Sequence, residues 1–445
     1  MVKKYFGTDG IRGRAGQLPM VPEFIVKLGW AIGSVLDHHT ASRVLIGKDT
    51  RITGYMFESA LQSGLSAAGV DVYMLGPMPT PGIAYLTRDR GFDAGIVISA
   101  SHNGYQDNGI KIFSRDGMKI SDEIEAQIEQ LLTEPLLVAP PEKIGRAYRV
   151  EDSIKRYIDF CEKAFPSHLS LNGLKIVLDC ANGACYYIAP RVFSDLGAEV
   201  IVIANTPNGL NINDACGTTH PEQLQQRVIH EKADLGIAFD GDGDRVIMVD
   251  KQGELVDGDE LLFMIARGAH NRGEVVPGIV GTSMTNLGME QALSALNIPL
   301  QRAKVGDRYV LETLKENNWQ LGGETSGHII HLAFSTTGDG IIAALLVLTE
   351  VIQSGEPLHL LKKHMKKWPQ CLINVKVSRS VEPLSVPAIQ QAVTHAEEIL
   401  QKRGRVLLRA SGTEPLIRVM VEGSDAEEVQ RLATGLANTV ENALA

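Results

Sequence analysis

The sequence predicts an α/β protein of three related α/β domains followed by a smaller α+β domain, and two observations carry that prediction. Three times along the chain an apolar run of strand length ends in a glycine-bearing loop, with helix-length segments between the runs. The pattern then changes. Strands at Leu372–Val377, Val406–Leu408 and Ile417–Val421 are interleaved with helices at Pro387–Gln401 and Asp425–Ala443.

In the first unit a strand at Val44–Gly47 precedes a helix from about Tyr55 to Ala68, and strands follow at Val70–Leu75 and Ala94–Ser99. The second unit has a strand at Leu174–Leu178, a turn at Asn182 and Gly183, a helix, and strands at Glu199–Ile203 and Leu235–Phe239. The third starts at Gly278–Val280, continues through a helix near Leu287–Leu296 and ends on Leu321–Gly323. A chain of 445 residues exceeds what one core usually serves, so three or four domains of roughly 100 to 150 residues are expected. The boundaries are placed at 1–150, 151–252, 253–366 and 367–445. Glu134–Pro141, with three prolines, and the lysine-rich Lys362–Pro369 are the linker candidates.

Hydrophobic residues make up 44% and charged residues 22%, the balance of an ordinary globular protein. The net charge of −10 argues against nucleic acid or an anionic membrane as partner, while a small anionic substrate needs only a few basic groups in one cleft. Five scattered cysteines show neither a C-x-x-C pair nor zinc spacing, which fits a reducing compartment. The amino terminus has no apolar signal core and no run reaches membrane-spanning length, so a cytoplasmic protein is expected.

Ligands in open α/β sheets bind at the carboxyl ends of strands, so the loops there carry the search for chemistry. After the strand at Ala94 comes Ser99-Ala100-Ser101-His102-Asn103-Gly104, then Asn108-Gly109-Ile110-Lys111. Ser101 can act as a nucleophile or phosphate carrier, although alone this reads better as a Ser/Asn turn, and Lys111 as solvated surface. After Phe239 comes Asp240-Gly241-Asp242-Gly243-Asp244-Arg245, three carboxylates at i, i+2 and i+4 with glycines that let the backbone wrap one hard cation. An EF-hand would need glycine sixth and glutamate twelfth, where this chain has Arg245 and Lys251, so magnesium suits better than calcium. An acidic turn without metal is the competing reading.

The third loop, Gly322-Gly323-Glu324-Thr325-Ser326-Gly327-His328, offers Glu324 and Ser326 to sugar hydroxyls and His328 to proton transfer, or is a glycine-rich turn with a surface histidine. The fourth, Arg409-Ala410-Ser411-Gly412-Thr413-Glu414-Pro415 with Arg418 beyond it, can hold a phosphate, or Arg409 can simply pair with Glu414. A fifth segment, Gly7-Thr8-Asp9-Gly10-Ile11-Arg12-Gly13, brings Arg12 close to a ligand or makes a plain turn.

In order and spacing, these five segments resemble the α-D-phosphohexomutase superfamily over essentially the whole chain. Tyr5–Gly13, Ala303-Lys304-Val305-Gly306-Asp307-Arg308-Tyr309-Val310 and Thr337-Gly338-Asp339-Gly340 point to the branch that acts on hexosamine phosphates. The resemblance implies four domains around a central cleft, with Ser101 as a phosphoserine that, with Asp240, Asp242 and Asp244, binds one Mg²⁺. It assigns Arg12, Lys111 and His328 to acid/base or charge-stabilising work, and Glu324, Ser326 and Arg245 to the sugar phosphate. Arg409, Ser411, Gly412, Thr413 and Arg418 would hold the phosphate that is not reacting. The implied reaction converts glucosamine 6-phosphate to glucosamine 1-phosphate through a bisphosphorylated sugar, which would also serve as activator, for UDP-N-acetylglucosamine synthesis. A monomer or homodimer is expected, with neither nucleic acid nor membrane as partner.

One departure stands out. Gly104 occupies a position where the family commonly has proline, which implies a looser nucleophile loop and leaves open a diverged paralogue of weaker or shifted activity. Three alternatives stay open at this level: a mutase for glucose or mannose phosphates, an aspartyl-phosphate hydrolase using Asp240, and a sugar-phosphate binder without turnover.

Overall fold

The computed structural model describes residues 3–36, 42–377, 382–410 and 416–444, which form two compact units. The larger comprises the chain up to Met284 together with Ile298–Lys363, and the smaller Thr285–Asn297 together with His364 onward.

The larger unit contains three sheets. In the first, β1 (Ile11–Arg14), β2 (Arg43–Lys48), β3 (Asp71–Pro77), β4 (Ala94–Ile98), β5 (Asp107–Ser114) and β6 (Ala147–Arg149) run in the order β1-β5-β4-β2-β3-β6. In the second, β7 (Lys175–Asp179), β8 (Glu199–Ile203), β9 (Leu235–Phe239), β10 (Val246–Asp250) and β11 (Leu255–Val256) run β11-β10-β9-β7-β8. In the third, β12 (Ile279–Thr282), β13 (Leu300–Ala303), β14 (Leu321–Gly323) and β15 (Ile329–His331) run β13-β12-β14-β15. One device recurs in all three: a parallel strand, β4, β9 or β14, is followed by an antiparallel neighbour, β5, β10 or β15. The tight connection between them sits at the carboxyl end of the parallel strands.

The recurring strands are continuously apolar because helices cover both faces; every residue of β4 and of β9 is buried. In the first domain the helices Pro22–Val35 and Ile52–Ala67 cross closely. A Cβ added at Gly64 would lie 2.0 Å from the Val26 carbonyl oxygen, so glycine there serves packing.

Several helices escaped the sequence reading, among them Gly258–Asn271 and Gly340–Ser354, which are buried along most of their length. The linker expected at Glu134–Pro141 is instead a loop of the first domain. Trp30 Nε1–H donates to the Leu137 carbonyl at 2.8 Å, and β6 returns to pair with β3. The Lys362–Pro369 stretch does straddle the division between the units.

Asp339 caps the helix Gly340–Ser354, its Oδ1 accepting from the Ile341 and Ile342 N–H groups at 3.1 and 3.0 Å, while the Tyr157 hydroxyl donates to Oδ2 at 2.8 Å. Burial outweighs these bonds and pushes the carboxyl up to about 6. A carboxyl raised in this way favours the folded state below its unfolded pKa near 3.9, and the benefit is lost as pH rises through about 6. Asp339→Asn keeps the capping oxygen without the titration. The unfolding free energy of the parent chain should therefore fall relative to the variant's by about 2 to 3 kcal/mol between about pH 4 and 7, read by urea unfolding. Parallel pH curves would contradict this.

The smaller unit has an antiparallel sheet of β16 (Gln370–Lys376), β17 (Gly404–Ala410) and β18 (Leu416–Gly423), ordered β16-β18-β17, with helices Pro387–Leu400 and Ala426–Leu444. The expected α+β character is met. The helix Leu287–Ala295, which follows β12 of the third sheet in sequence, makes its contacts with this unit. Glu422 is fully buried and takes the Leu287 N–H at 2.8 Å and Arg405 Nε at 2.7 Å, which ties the helix to this sheet.

Candidate active site

The three strand-end loops of the larger unit meet. A Cβ built on Gly241 would lie 2.6 Å from the Ser101 carbonyl oxygen, so the serine and aspartate loops touch backbone to backbone. Gly340 N–H donates to the Gly243 carbonyl at 3.0 Å and Val246 N–H to the Gly327 carbonyl at 3.1 Å, which fastens the third loop region to the second.

Ser101 is 1% exposed and left-handed, with φ 53°, and its hydroxyl donates to Asp240 Oδ2 at 2.5 Å. Among the described residues, Asp240, Asp242 and Asp244 form a cluster fit for a metal, with ligand oxygens within 4.8 Å of one another and all three side chains buried. Asp240 Oδ1 accepts the Arg245 N–H at 3.1 Å, and Asp242 Oδ2 accepts Thr80 Oγ1–H at 2.6 Å and Lys111 Nζ at 2.9 Å. Lys111 reaches Asp244 Oδ2 at 3.1 Å. Asp242 Oδ1 and Asp244 Oδ1 are left buried without a hydrogen-bond partner. Two bare carboxylate oxygens beside a third carboxylate are costly unless a cation receives them, and a hard divalent ion fits that donor set.

The electrostatics say the same. Burial and the charges of Asp244 and Asp242 push the Asp240 carboxyl well above its ordinary range. Asp244 is held well below it: against the cost of burial, Lys111 and His328 stabilise its charge. The solvated acidic turn is excluded.

Lys111, expected as surface or as a site residue, is 2% exposed. Its burial disfavours charge, but Asp242, Asp244 and Asp9 outweigh that and hold the ammonium charged well above its ordinary pKa. Arg12 pairs with Asp9, and Asp9 in turn pairs with Lys111 at 3.2 Å and with Lys119. Arg245 Nη1–H donates to His102 Nδ1 at 3.0 Å. Burial, Arg245 and Arg12 push the His102 ring down to about 4, so it is neutral at physiological pH.

His328 is 2% exposed, which removes the surface-histidine reading. Burial alone would lower its pKa, but Asp244, with Nδ1 3.7 Å from Oδ1, and Asp307 raise it. The Gly338 N–H donates to Nε2 at 3.2 Å and so favours the neutral ring. Glu324 Oε1 accepts the Gly306 N–H at 2.9 Å, and Ser326 Oγ–H donates to Oε2 at 3.4 Å. The Val305–Arg308 motif is thereby joined to the third loop.

In the smaller unit Arg409 and Arg418 lie directly opposite in the β17–β18 register, which puts both on one sheet face, and Arg418 Nε is buried without a hydrogen-bond partner. Like charges so placed repel unless an anion lies between them. Ser411, Gly412, Thr413 and Glu414 fall outside the described residues.

Sequence reading quoted Asp9 and Asp307 inside motifs without giving them a role, and missed Thr80, Lys119 and Asn213. The last three are isolated polar residues without motif spacing, and Lys119 gains meaning only by bridging Asp9 and Asp307, 188 positions apart in the case of Asp307.

A buried serine thus faces a carboxylate triad at the carboxyl ends of repeated α/β domains, and the family models give the class of protein. The phosphoglucomutase/phosphomannomutase α/β/α domains I, II and III match residues 3–137, 155–253 and 257–368, and that family's C-terminal domain matches 372–439. The chain belongs to the phosphoglucomutase/phosphomannomutase family, and is thus an isomerase of the intramolecular phosphotransferase kind.

Among curated relatives, the phosphoglucosamine mutase of Ectopseudomonas mendocina is 58% identical over 440 residues, covering 99% of both chains. That of Aeromonas hydrophila is 56% identical over 443 residues, covering 100% of both. A Burkholderia thailandensis phosphoglucomutase/phosphomannomutase family protein shares the fold at TM-score 0.81 and 24% identity, covering 98% of this chain and 97% of its own. So does Aspergillus fumigatus N-acetylphosphoglucosamine mutase, solved with GlcNAc-6P and magnesium, at TM-score 0.71 and 18% identity over 99% and 96%. Among the described residues no single helix is long and apolar enough to cross a membrane.

Proposed function

We propose that the chain interconverts glucosamine 6-phosphate and glucosamine 1-phosphate, with Ser101 carrying the phosphate in transit. The observation that carries this is the Ser101 hydroxyl 2.5 Å from Asp240, beside two buried carboxylate oxygens without partners. The amino sugar is supported by the 56 to 58% identity to phosphoglucosamine mutases over the full chain.

The phosphoryl group leaves Ser101 Oγ for a free hydroxyl of the bound sugar phosphate; that hydroxyl loses its proton and Oγ gains one. The resulting bisphosphate turns over and returns its other phosphate to Ser101. A single Mg²⁺ held by Asp240, Asp242, Asp244 and the Ser101 phosphate would supply positive charge against the phosphoryl oxygens. Lys111, bonded to Asp242 and Asp244, and Arg12, paired with Asp9, stabilise the transferring group with positive charge. His328, held between Asp244 and the Gly338 N–H, takes and returns the proton. Glu324 accepts from the sugar hydroxyls, Ser326 and Arg245 assist it, and Arg409 and Arg418 with Ser411, Gly412 and Thr413 hold the idle phosphate. A trace of hexosamine bisphosphate would prime Ser101.

The test is turnover with Mg²⁺ and a trace of hexosamine 1,6-bisphosphate, comparing glucosamine, glucose and mannose 6-phosphates. The amino sugar should lead in kcat/KM by at least about 10-fold. Equal or better use of glucose 6-phosphate would replace this reading with that of a general phosphohexomutase.

A further inference from the structure

The backbone of the nucleophile loop is held by a guanidinium that no motif announces. Arg51 is fully buried, and Nη2 donates to the carbonyls of Ser101 at 2.9 Å and Asn103 at 2.8 Å. Nη1 donates to the carbonyls of Gly104 and Asp107, the latter at 3.1 Å. The fork therefore gathers four carbonyl oxygens of one loop.

Asp49 aims the fork. Its Oδ2 accepts Arg51 Nε–H at 2.8 Å and Ser99 Oγ–H at 2.6 Å, and Ser99 Oγ accepts the Ser101 N–H at 2.9 Å. Both backbone groups of Ser101 thus run back to Asp49, one through Ser99 and one through Arg51. From the second domain, Asn213 Nδ2 donates to the Ser101 and Asn103 carbonyls at 2.9 Å each.

We infer that Arg51 is a positioning residue for phosphoryl transfer, holding Ser101 in its left-handed conformation so that Oγ stays aimed at the aspartate cluster whether or not it carries phosphate. The inference rests on the phosphoserine reading above. Two facts require such a clamp. Ser101 sits at φ 53°, where a non-glycine residue rests only if its surroundings impose it. Gly104, two residues after His102, brings the widest backbone freedom to the same loop, and its carbonyl is one of the four that Arg51 takes. Lysine presents one point charge with rotating donors and cannot reproduce a planar fork on four acceptors.

The experiment uses the full-length chain, primed with hexosamine bisphosphate, as parent, Arg51→Lys and Asn213→Gly. Glycine suits position 213, whose φ is 56°. Ser101 phosphate is counted by intact mass, and rates are expressed per phosphorylated serine. A positioning role predicts that kcat per phosphoserine falls about 10²-fold in Arg51→Lys and less in Asn213→Gly, with KM for glucosamine 6-phosphate within about 2-fold of the parent. Loss of Ser101 phosphate to water without substrate should also change. A merely structural role predicts a lower active fraction at the parent's rate per phosphoserine, and that result overturns the inference. If Arg51→Lys does not fold, a parent-like rate per phosphoserine in Asn213→Gly overturns it. Absence of phosphoserine turnover in the parent itself would instead refute the reading on which the inference rests.

Discussion

Ser101→Ala lowers mutase turnover by at least about 10⁴-fold, because the reaction then lacks the oxygen that accepts and returns the phosphate. The variant should fold as the parent does. The Ser101 side chain makes one hydrogen bond, to Asp240, while the loop itself is held through backbone groups by Arg51, Asn213 and Ser99. Binding of a sugar bisphosphate, read by calorimetry, should therefore survive while conversion of glucosamine 6-phosphate disappears. Parent-like turnover in Ser101→Ala would end the phosphoserine mechanism and revive Asp240 as a nucleophile.

Removing divalent metal has the next largest effect. Three buried carboxylates share a volume in which their ligand oxygens lie within 4.8 Å, and two of those oxygens have no hydrogen-bond partner. Chelation followed by dialysis should bring turnover to background, and Mg²⁺ should restore it. The same ion should raise the thermal midpoint, since binding at about 100 times Kd contributes about 2.7 kcal/mol to the folded state. Asp242→Asn retains an acceptor for Lys111 and Thr80 but removes one ligand charge. Its kcat should fall by about 10² to 10³, and its thermal midpoint should respond less to Mg²⁺. Turnover and midpoint that ignore chelation would show that these carboxylates hold no metal.

The fold and the chemical loops were legible because each rests on local rules. β8 and β9 were bounded to the residue, since an unbroken apolar run ending at a turn has one reading when helices flank it. The same rules failed for Gly340–Ser354, because a helix buried nearly all round loses the polar stripe that gives a helical period. The Leu287–Ala295 helix was found, and the Glu422 carboxylate, which ties it to the C-terminal sheet, was not.

At the site, residues spaced two apart on one loop announced themselves, as Asp240, Asp242 and Asp244 did. Partners from distant segments did not. Asp49 and Arg51 belong to no motif quoted from the sequence, and their part shows only where the Arg51 guanidinium meets four carbonyls of another loop. The carbonyl of Gly104, the position where the family commonly has proline, is tied to that same guanidinium.

The left-handed backbone of Ser101 also decides which alcohol can serve here. Threonine has a hydroxyl no less able to take up a phosphate, and chemistry alone would not choose between the two. A β-branched side chain is disfavoured at positive φ, and Ser101 has almost no open space around it. On the phosphoserine mechanism proposed above, the nucleophile is a primary alcohol for conformational reasons, and exchange for the secondary alcohol is closed by the turn rather than by reactivity.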